Sequence, residues 1–186
     1  MSSKNLLIVL SGPSGVGKGT VVKQLLSTGN YALSVSCTTR KMREGEVEGK
    51  SYFFISKEKF LKDIENGGFL EYSEHFGNYY GTPKKFVEEQ LLSRDVVLEI
   101  EVDGALQAKR SHPEAVLIML LPPDEATLKE RLKGRGTETE EEIEKRLKRA
   151  EYELSRKDEY DYCVVNDDLD ECVKKLENLI KKLKLI

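Results

Sequence analysis

Gly12-Pro13-Ser14-Gly15-Val16-Gly17-Lys18-Gly19-Thr20 separates an aliphatic run at residues 6–10 from a helix-like segment at 21–26. Strand, glycine-rich loop and helix thus follow one another in the order of the Walker A phosphate-binding motif. The glycines let successive backbone N–H groups turn inward around an anion, the helix adds the positive end of its dipole, and Lys18 reaches the outer phosphates. A tight glycine turn between strand and helix is the plainer alternative. The spacing, the lysine and the context together favour a nucleotide phosphate site. One position departs from the motif: Ser or Thr is expected immediately after Lys18, and Gly19 stands there. A magnesium ion would lose its usual hydroxyl ligand and rest mainly on water and phosphate oxygens, leaving the Thr20 hydroxyl for another phosphate.

Working outward, the runs at 96–100, 116–121 and 162–165 are, like 6–10, short, aliphatic or β-branched, and bounded by polar or turn residues. They predict buried strands of a mainly parallel sheet flanked by helices, an α/β architecture. Residues 36–80 read differently, with Tyr52-Phe53-Phe54-Ile55 and Gly77-Asn78-Tyr79-Tyr80-Gly81 around a short helix near 56–66. This segment is expected to be an inserted subdomain with its own small sheet. A helix is predicted from Thr139, which has capping-box spacing to Glu142, with Ile143, Leu147, Ala150 and Leu154 on one face. Just before it, the glycines of Lys133-Gly134-Arg135-Gly136 break the preceding helix, which suggests a hinged arm and a lid.

With 186 residues and 30 Lys plus Arg against 33 Asp plus Glu, the chain has the size of one domain and a formal charge of −3. That balance argues against broad nucleic-acid binding, so any phosphate site must be a local basic cluster. The longest apolar run, residues 115–121, falls far short of the roughly 20 residues of a membrane-crossing helix. The 6–10 run is too short for a signal-peptide core, and a cytoplasmic location is the expectation. Cys37, Cys163 and Cys172 form no C-x-x-C pair and suggest neither disulfides nor zinc; they are expected to be ordinary small buried residues. His75 and His112 have no partners at metal or triad spacing and are assigned to surface or loop.

Six motifs in order, namely the loop at 12–20, Ser34-Val35-Ser36-Cys37-Thr38-Thr39-Arg40, Arg43 to Glu46 with Gly49 to Tyr52, Phe69-Leu70-Glu71-Tyr72, Gly77 to Thr82, and Arg131 through residues 134–138 to Arg146, resemble those of guanylate kinases. The resemblance runs from about residue 6 to 170. It implies a P-loop kinase core (1–35, 83–130 and 158–186), an inserted GMP-binding subdomain at about 36–82 and a small helical lid at about 131–157. It also implies transfer of the γ-phosphoryl group of ATP to GMP, and to dGMP, in purine nucleotide metabolism, with Mg²⁺ accompanying ATP and no metal ligand from the protein.

On this resemblance Glu71 matches the guanine-binding glutamate, and Ser36 and Thr82 its hydroxyl contacts. The chemistry agrees, because guanine presents N1–H and N2–H donors beside the O6 acceptor. Adenine would strand the carboxylate, so selectivity follows from unsatisfied polar groups. Arg40, Arg43, Tyr52 and Tyr80 match the clamp on the GMP phosphate, although the two tyrosines also suit the core of the small sheet. Lys18, Arg131, Arg135 and Arg146 match the cations on the ATP phosphates and the transferring group. Salt bridges to Glu138, Glu140 or Glu142 compete for each of those arginines. Asn166 resembles the adenine-side Asn, though Asn166-Asp167-Asp168 is equally a strand-to-helix turn.

Leu98-Glu99-Ile100-Glu101-Val102-Asp103-Gly104 departs from the family, which usually has Asp where Glu101 stands and often Gln where Asp103 stands. Glu101 is expected to take over at the strand end, with Asp103 as the rival. Two other functions compete with a GMP kinase. A guanylate kinase-like domain that binds phosphopeptides is opposed by Lys18 and the intact loop. An adenylate or shikimate type of kinase is opposed by Glu71 with Ser36 and Thr82.

Overall fold

The computed structural model describes residues 4–133 and 139–185; residues 134–138, with Arg135 and most of the expected arm, lie outside the described residues. In chain order the elements are β1 (Leu7–Ser11), α1 (Lys18–Ser27), β2 (Tyr31–Leu33), β3 (Cys37–Thr38), β4 (Phe53–Phe54), α2 (Lys57–Glu65), β5 (Phe69–His75), β6 (Asn78–Pro83), α3 (Lys84–Leu91), β7 (Asp95–Glu99), α4 (Val102–Ser111), β8 (Val116–Leu121), α5 (Glu125–Lys133), α6 (Glu140–Ser155), a 3-10 turn at Lys157–Glu159, β9 (Tyr162–Val165) and α7 (Leu169–Leu183).

Five strands form a parallel sheet in the order β2-β7-β1-β8-β9. Alternation explains why its strands are apolar throughout. Ile8 and Leu10 join the core under α1 and α7, while Leu7 and Val9 join the core under α3 and α4. The register sets Leu10 beside Glu99, so both strands end next to the loop at 12–17. Two expectations need correction. β9 is an edge strand of which Val164 alone is buried, so 162–165 is not a buried strand, and Cys163 is exposed rather than packed.

A second sheet, ordered β4-β3-β6-β5, is built from residues 37–83. Its core is small: Phe60 of α2 stacks on Phe69 at 4.4 Å and touches Tyr79 at 5.4 Å. Between Phe69 and Glu71 the β5–β6 register slips. Phe69 then faces this small core, Leu70 joins the core under α4, and Glu71 is set opposite Thr82. Irregularities of this kind re-aim side chains that strict alternation would send elsewhere.

α6 begins with the expected capping box at Thr139 and Glu142. Its inward face differs from the aliphatic one expected, because Ala150 and Glu153 are its buried residues and Leu147 and Leu154 are half-buried. A small apolar cluster, Leu128 and Leu132 of α5 with Ala150 and half-buried Leu147 and Leu154, joins the two helices. Among the described residues no helix is long and apolar enough to cross a membrane.

Candidate functional site

The loop after β1 closes on itself as the sequence predicts. Gly17 caps α1 with φ at 93°, and a Cβ there would stand 2.7 Å from Asn166 Nδ2. Only glycine fits both the left-handed backbone and that close approach. Asn166 is buried and its Nδ2 donates to Val16 O at 2.8 Å. Its side-chain amide therefore braces the loop from the strand-to-helix turn after β9, a use the sequence did not announce. Lys18 Nζ donates to Gly12 O at 2.6 Å and Pro13 O at 3.2 Å. Burial pushes the Lys18 ammonium below its ordinary value, and Glu153, Glu99 and Glu101 pull it partly back.

A cavity of about 450 Å³ opens above the loop, with Ser14, Gly17, Lys18, Thr20, Arg131 and Arg146 among its lining. Arg131 Nη1 donates to Asn166 O at 3.0 Å, and Arg146 Nη2 to Ser14 Oγ at 2.8 Å. Two helices after the loop thus bring cations back to it. A glycine-rich loop, a helix N-terminus and three cations make an anion site able to hold a polyphosphate.

A second cavity of about 580 Å³ lies between the two sheets, lined by Ser36, Tyr52, Glu71, Tyr80, Glu101 and Arg149 among others. Glu71 is 7% exposed, and Thr82 Oγ1 donates to its Oε1 at 2.6 Å. Burial pushes the Glu71 carboxyl up, and the bonds from Thr82 pull it partly back. A carboxylate so held can accept two parallel N–H bonds from a planar heterocycle. Thr82 itself is fully buried behind Glu71, so its hydroxyl proton goes to that carboxylate. Tyr52 and Tyr80 pack edge to face at 6.0 Å along the cavity wall and are not core residues of the small sheet.

Neither Arg40 nor Arg43, the arginines expected on this side, is in the lining of the cavity. Arg40 is forked onto Glu46, at 2.7 and 3.0 Å, with its guanidinium 5.5 Å from the Tyr52 ring centroid. Arg43 is exposed and its side chain does not line the cavity, because its backbone N–H holds Glu46 at the turn. Glu99 borders both cavities and Glu101 stands beside it; together with Glu153 they face Lys18 across a recess of about 260 Å³. The sequence reading missed Glu153, Arg149 and Gln107, whose Oε1 accepts the Tyr72 N–H next to Glu71. His75 is exposed, as expected, and lines the second cavity.

Residues 4–183 match the family model described as guanylate kinase. A guanylate kinase of Clostridium tetani (strain Massachusetts / E88) is 52% identical over 178 residues, covering 95% of this chain and 86% of the relative. One from Prochlorococcus marinus (strain MIT 9312) is 50% identical over 183 residues, covering 97% and 100%. Among solved structures, the guanylate kinase of Anaplasma phagocytophilum superposes with a TM-score of 0.75 at 34% identity, covering 99% of this chain and 88% of that one. A gluconokinase from Sinorhizobium meliloti 1021, at 16% identity and a TM-score of 0.50, shares the fold alone. Relatives half identical over almost the full length, around a loop and a cavity built as described, place this chain in the guanylate kinase family.

Proposed function

We infer that the chain transfers the γ-phosphoryl group of ATP to GMP, releasing ADP and GDP. The observation that carries this reading is the meeting of two cavities at Glu99: a polyphosphate loop on one side and the buried Glu71–Thr82 pair on the other. Glu71 takes guanine N1–H and N2–H, Ser36 completes the reading of the base, and Thr82 holds the Glu71 carboxylate from behind. Arg40 and Arg43 with Tyr52 and Tyr80 hold the GMP phosphate, for which Arg40 exchanges Glu46. Lys18, Arg131 and Arg146, joined by Arg135, hold the ATP phosphates, and Asn166 lies toward adenine. Glu101 rather than Asp103 supplies the carboxylate next to guanine, since both oxygens of Asp103 accept bonds from α6. The site serves soluble nucleotides in the cytoplasm.

A GMP phosphate oxygen, anionic at neutral pH, attacks the γ-phosphorus, and the bond from that phosphorus to the β–γ bridging oxygen breaks with ADP as leaving group. No general base is needed. ATP at about −4 and the GMP phosphate at about −2 repel each other strongly at contact. Alignment and neutralisation by fixed cations are what the chain contributes. The donor set suits Mg²⁺ delivered with ATP: Gly19 offers no hydroxyl, a Cβ there would stand 3.6 Å from Glu99 Oε1, and Thr20 lies beside them. Such a cation would supply charge neutralisation of the ATP phosphates and would keep several waters.

A coupled ADP-release assay over GMP, dGMP, AMP, UMP and shikimate tests the reading. Turnover with GMP, and with dGMP, but not with the others is expected; AMP or shikimate as the better acceptor would overturn it. A second prediction follows from Gly104 on α4, where an added Cβ would stand 3.2 Å from Glu71 Oε2. Glu71 is held in place by Thr82 and cannot retreat freely. Gly104→Ala should therefore raise KM for GMP about tenfold, the scale of a small misplacement at a fitted site, and leave KM for ATP unchanged in steady-state kinetics.

A further inference from the structure

The polar face of α6 makes contacts that binding the two nucleotides does not use. Arg149 Nη2 donates to Asp103 Oδ2 at 2.7 Å, and Tyr152 Oη to Asp103 Oδ1 at 2.8 Å. The Arg149 guanidinium lies 5.1 Å from the Tyr152 ring centroid, and its Nε donates to the buried carboxylate of Glu153 at 3.1 Å. Arg156 Nη1 donates to the Tyr152 hydroxyl at 2.9 Å from one turn further on. Asp103 sits in the first turn of α4, at the strand end where the two cavities meet. A core helix and the lid helix are thus tied across the rim of the guanine-side cavity, which Asp103 and Arg149 both line.

The position of this tie is what gives it consequence. Arg146 lies three residues before Arg149 on the same face of α6 and reaches Ser14 in the phosphate loop. The helix is moored to the loop at one point and to α4 at the next, and its apolar packing on α5 is one small cluster, Ala150 with half-buried Leu147 and Leu154 against Leu128 and Leu132. We propose that Asp103 and Arg149 are positioning residues for phosphoryl transfer: their ion pair, backed by Tyr152, sets the angle of α6 and so the place at which Arg146 meets the phosphates. Although partial burial works the other way, the bonds from Arg149 and Tyr152 hold the Asp103 carboxyl below its usual range, so the pair stays charged at neutral pH. With side chains 53% and 45% exposed, the ion pair between them contributes little to global stability. Displacement of a group on the transferring phosphoryl, by contrast, is felt strongly in turnover.

The inference rests on the reading of Arg146 given above, and the test keeps the two apart. Kinetics with ATP and GMP would compare the unmodified chain, Asp103→Ala, Arg149→Ala, Tyr152→Phe and the charge-swapped double variant carrying Asp103→Arg with Arg149→Asp. Each alanine variant should lose about tenfold in kcat with both KM values within about twofold. Tyr152→Phe should lose less, the melting temperature of Asp103→Ala should hold, and the swap should recover most of the lost kcat. A higher KM for GMP in Asp103→Ala at unchanged kcat would make Asp103 a direct reader of guanine and overturn the proposal. Unchanged kcat in both alanine variants, or a swap no better than the worse single variant, would overturn it too. An unmodified chain inactive on GMP would overturn the assigned function, and the proposal with it.

Discussion

Lys18→Ala should yield a folded chain that has lost phosphoryl transfer by about a hundred- to a thousandfold in kcat, the range for removing one preorganised charge contact from a transition state. The geometry separates folding from function at this residue. Lys18 opens α1, and in the ligand-free chain its ammonium is shared between the carbonyls of Gly12 and Pro13. The loop does not depend on it for shape: glycine backbone and the Asn166 amide hold that. Burial has lowered the Lys18 pKa. A lysine whose folded-state pKa lies below its unfolded value makes the folded state less favourable at all pH below that unfolded value, so neutral pH is in the unfavourable range. Removing the charge should therefore leave the melting temperature unchanged or raise it. Circular dichroism with the ADP-release assay checks both halves, and a folded variant with near-normal turnover would overturn the mechanism.

The same contrast explains which parts of the site were legible in the sequence. The phosphate loop is a local motif, in which glycine spacing, one lysine and the flanking apolar runs sit within about 20 residues, and each part has one conformational solution. The central strands were equally plain, because a parallel sheet covered on both faces must be apolar at every position. The edge strand β9 borrowed that signature without the burial, since its other side has no neighbour. What the sequence hid are contacts between distant elements. Arg149 and Asp103 are 46 residues apart; Asp103 read only as a rival to Glu101, and Arg149 carried no signal of its own. Glu153 stands on a helix face that periodicity assigns to apolar residues, and it is buried there because Arg149 and the Lys18 recess face it. The turn of Glu71 into the cavity depends on a register slip that alternation does not foretell. Resemblance, not pattern, pointed to Glu71.

Glu71→Gln should raise KM for GMP by about ten- to a hundredfold with little change in KM for ATP, since one amide N–H₂ would be turned on guanine donors and leave buried polar groups unpaired. The amide is nearly isosteric and can still accept from Thr82, so the packing around it survives. Stability should move the opposite way from function. Burial has raised the Glu71 carboxyl pKa in the folded chain. Its contribution to stability is fully present below the unfolded value and is lost as pH rises through the folded one. Above that folded value the chain carries a buried charge whose desolvation is only partly offset by Thr82, and there the neutral glutamine should hold or raise the melting temperature. The pH dependence has a matching sign. Guanine needs the ionised carboxylate, so GMP binding to the unmodified chain should weaken as pH falls through the raised Glu71 value. Glu71→Gln should keep only the titration of the GMP phosphate near pH 6. Calorimetric titration with GMP between pH 5 and 8, run on both chains, reads the difference. Equal affinities at neutral pH, or identical pH profiles, would show that this carboxylate does not read the base.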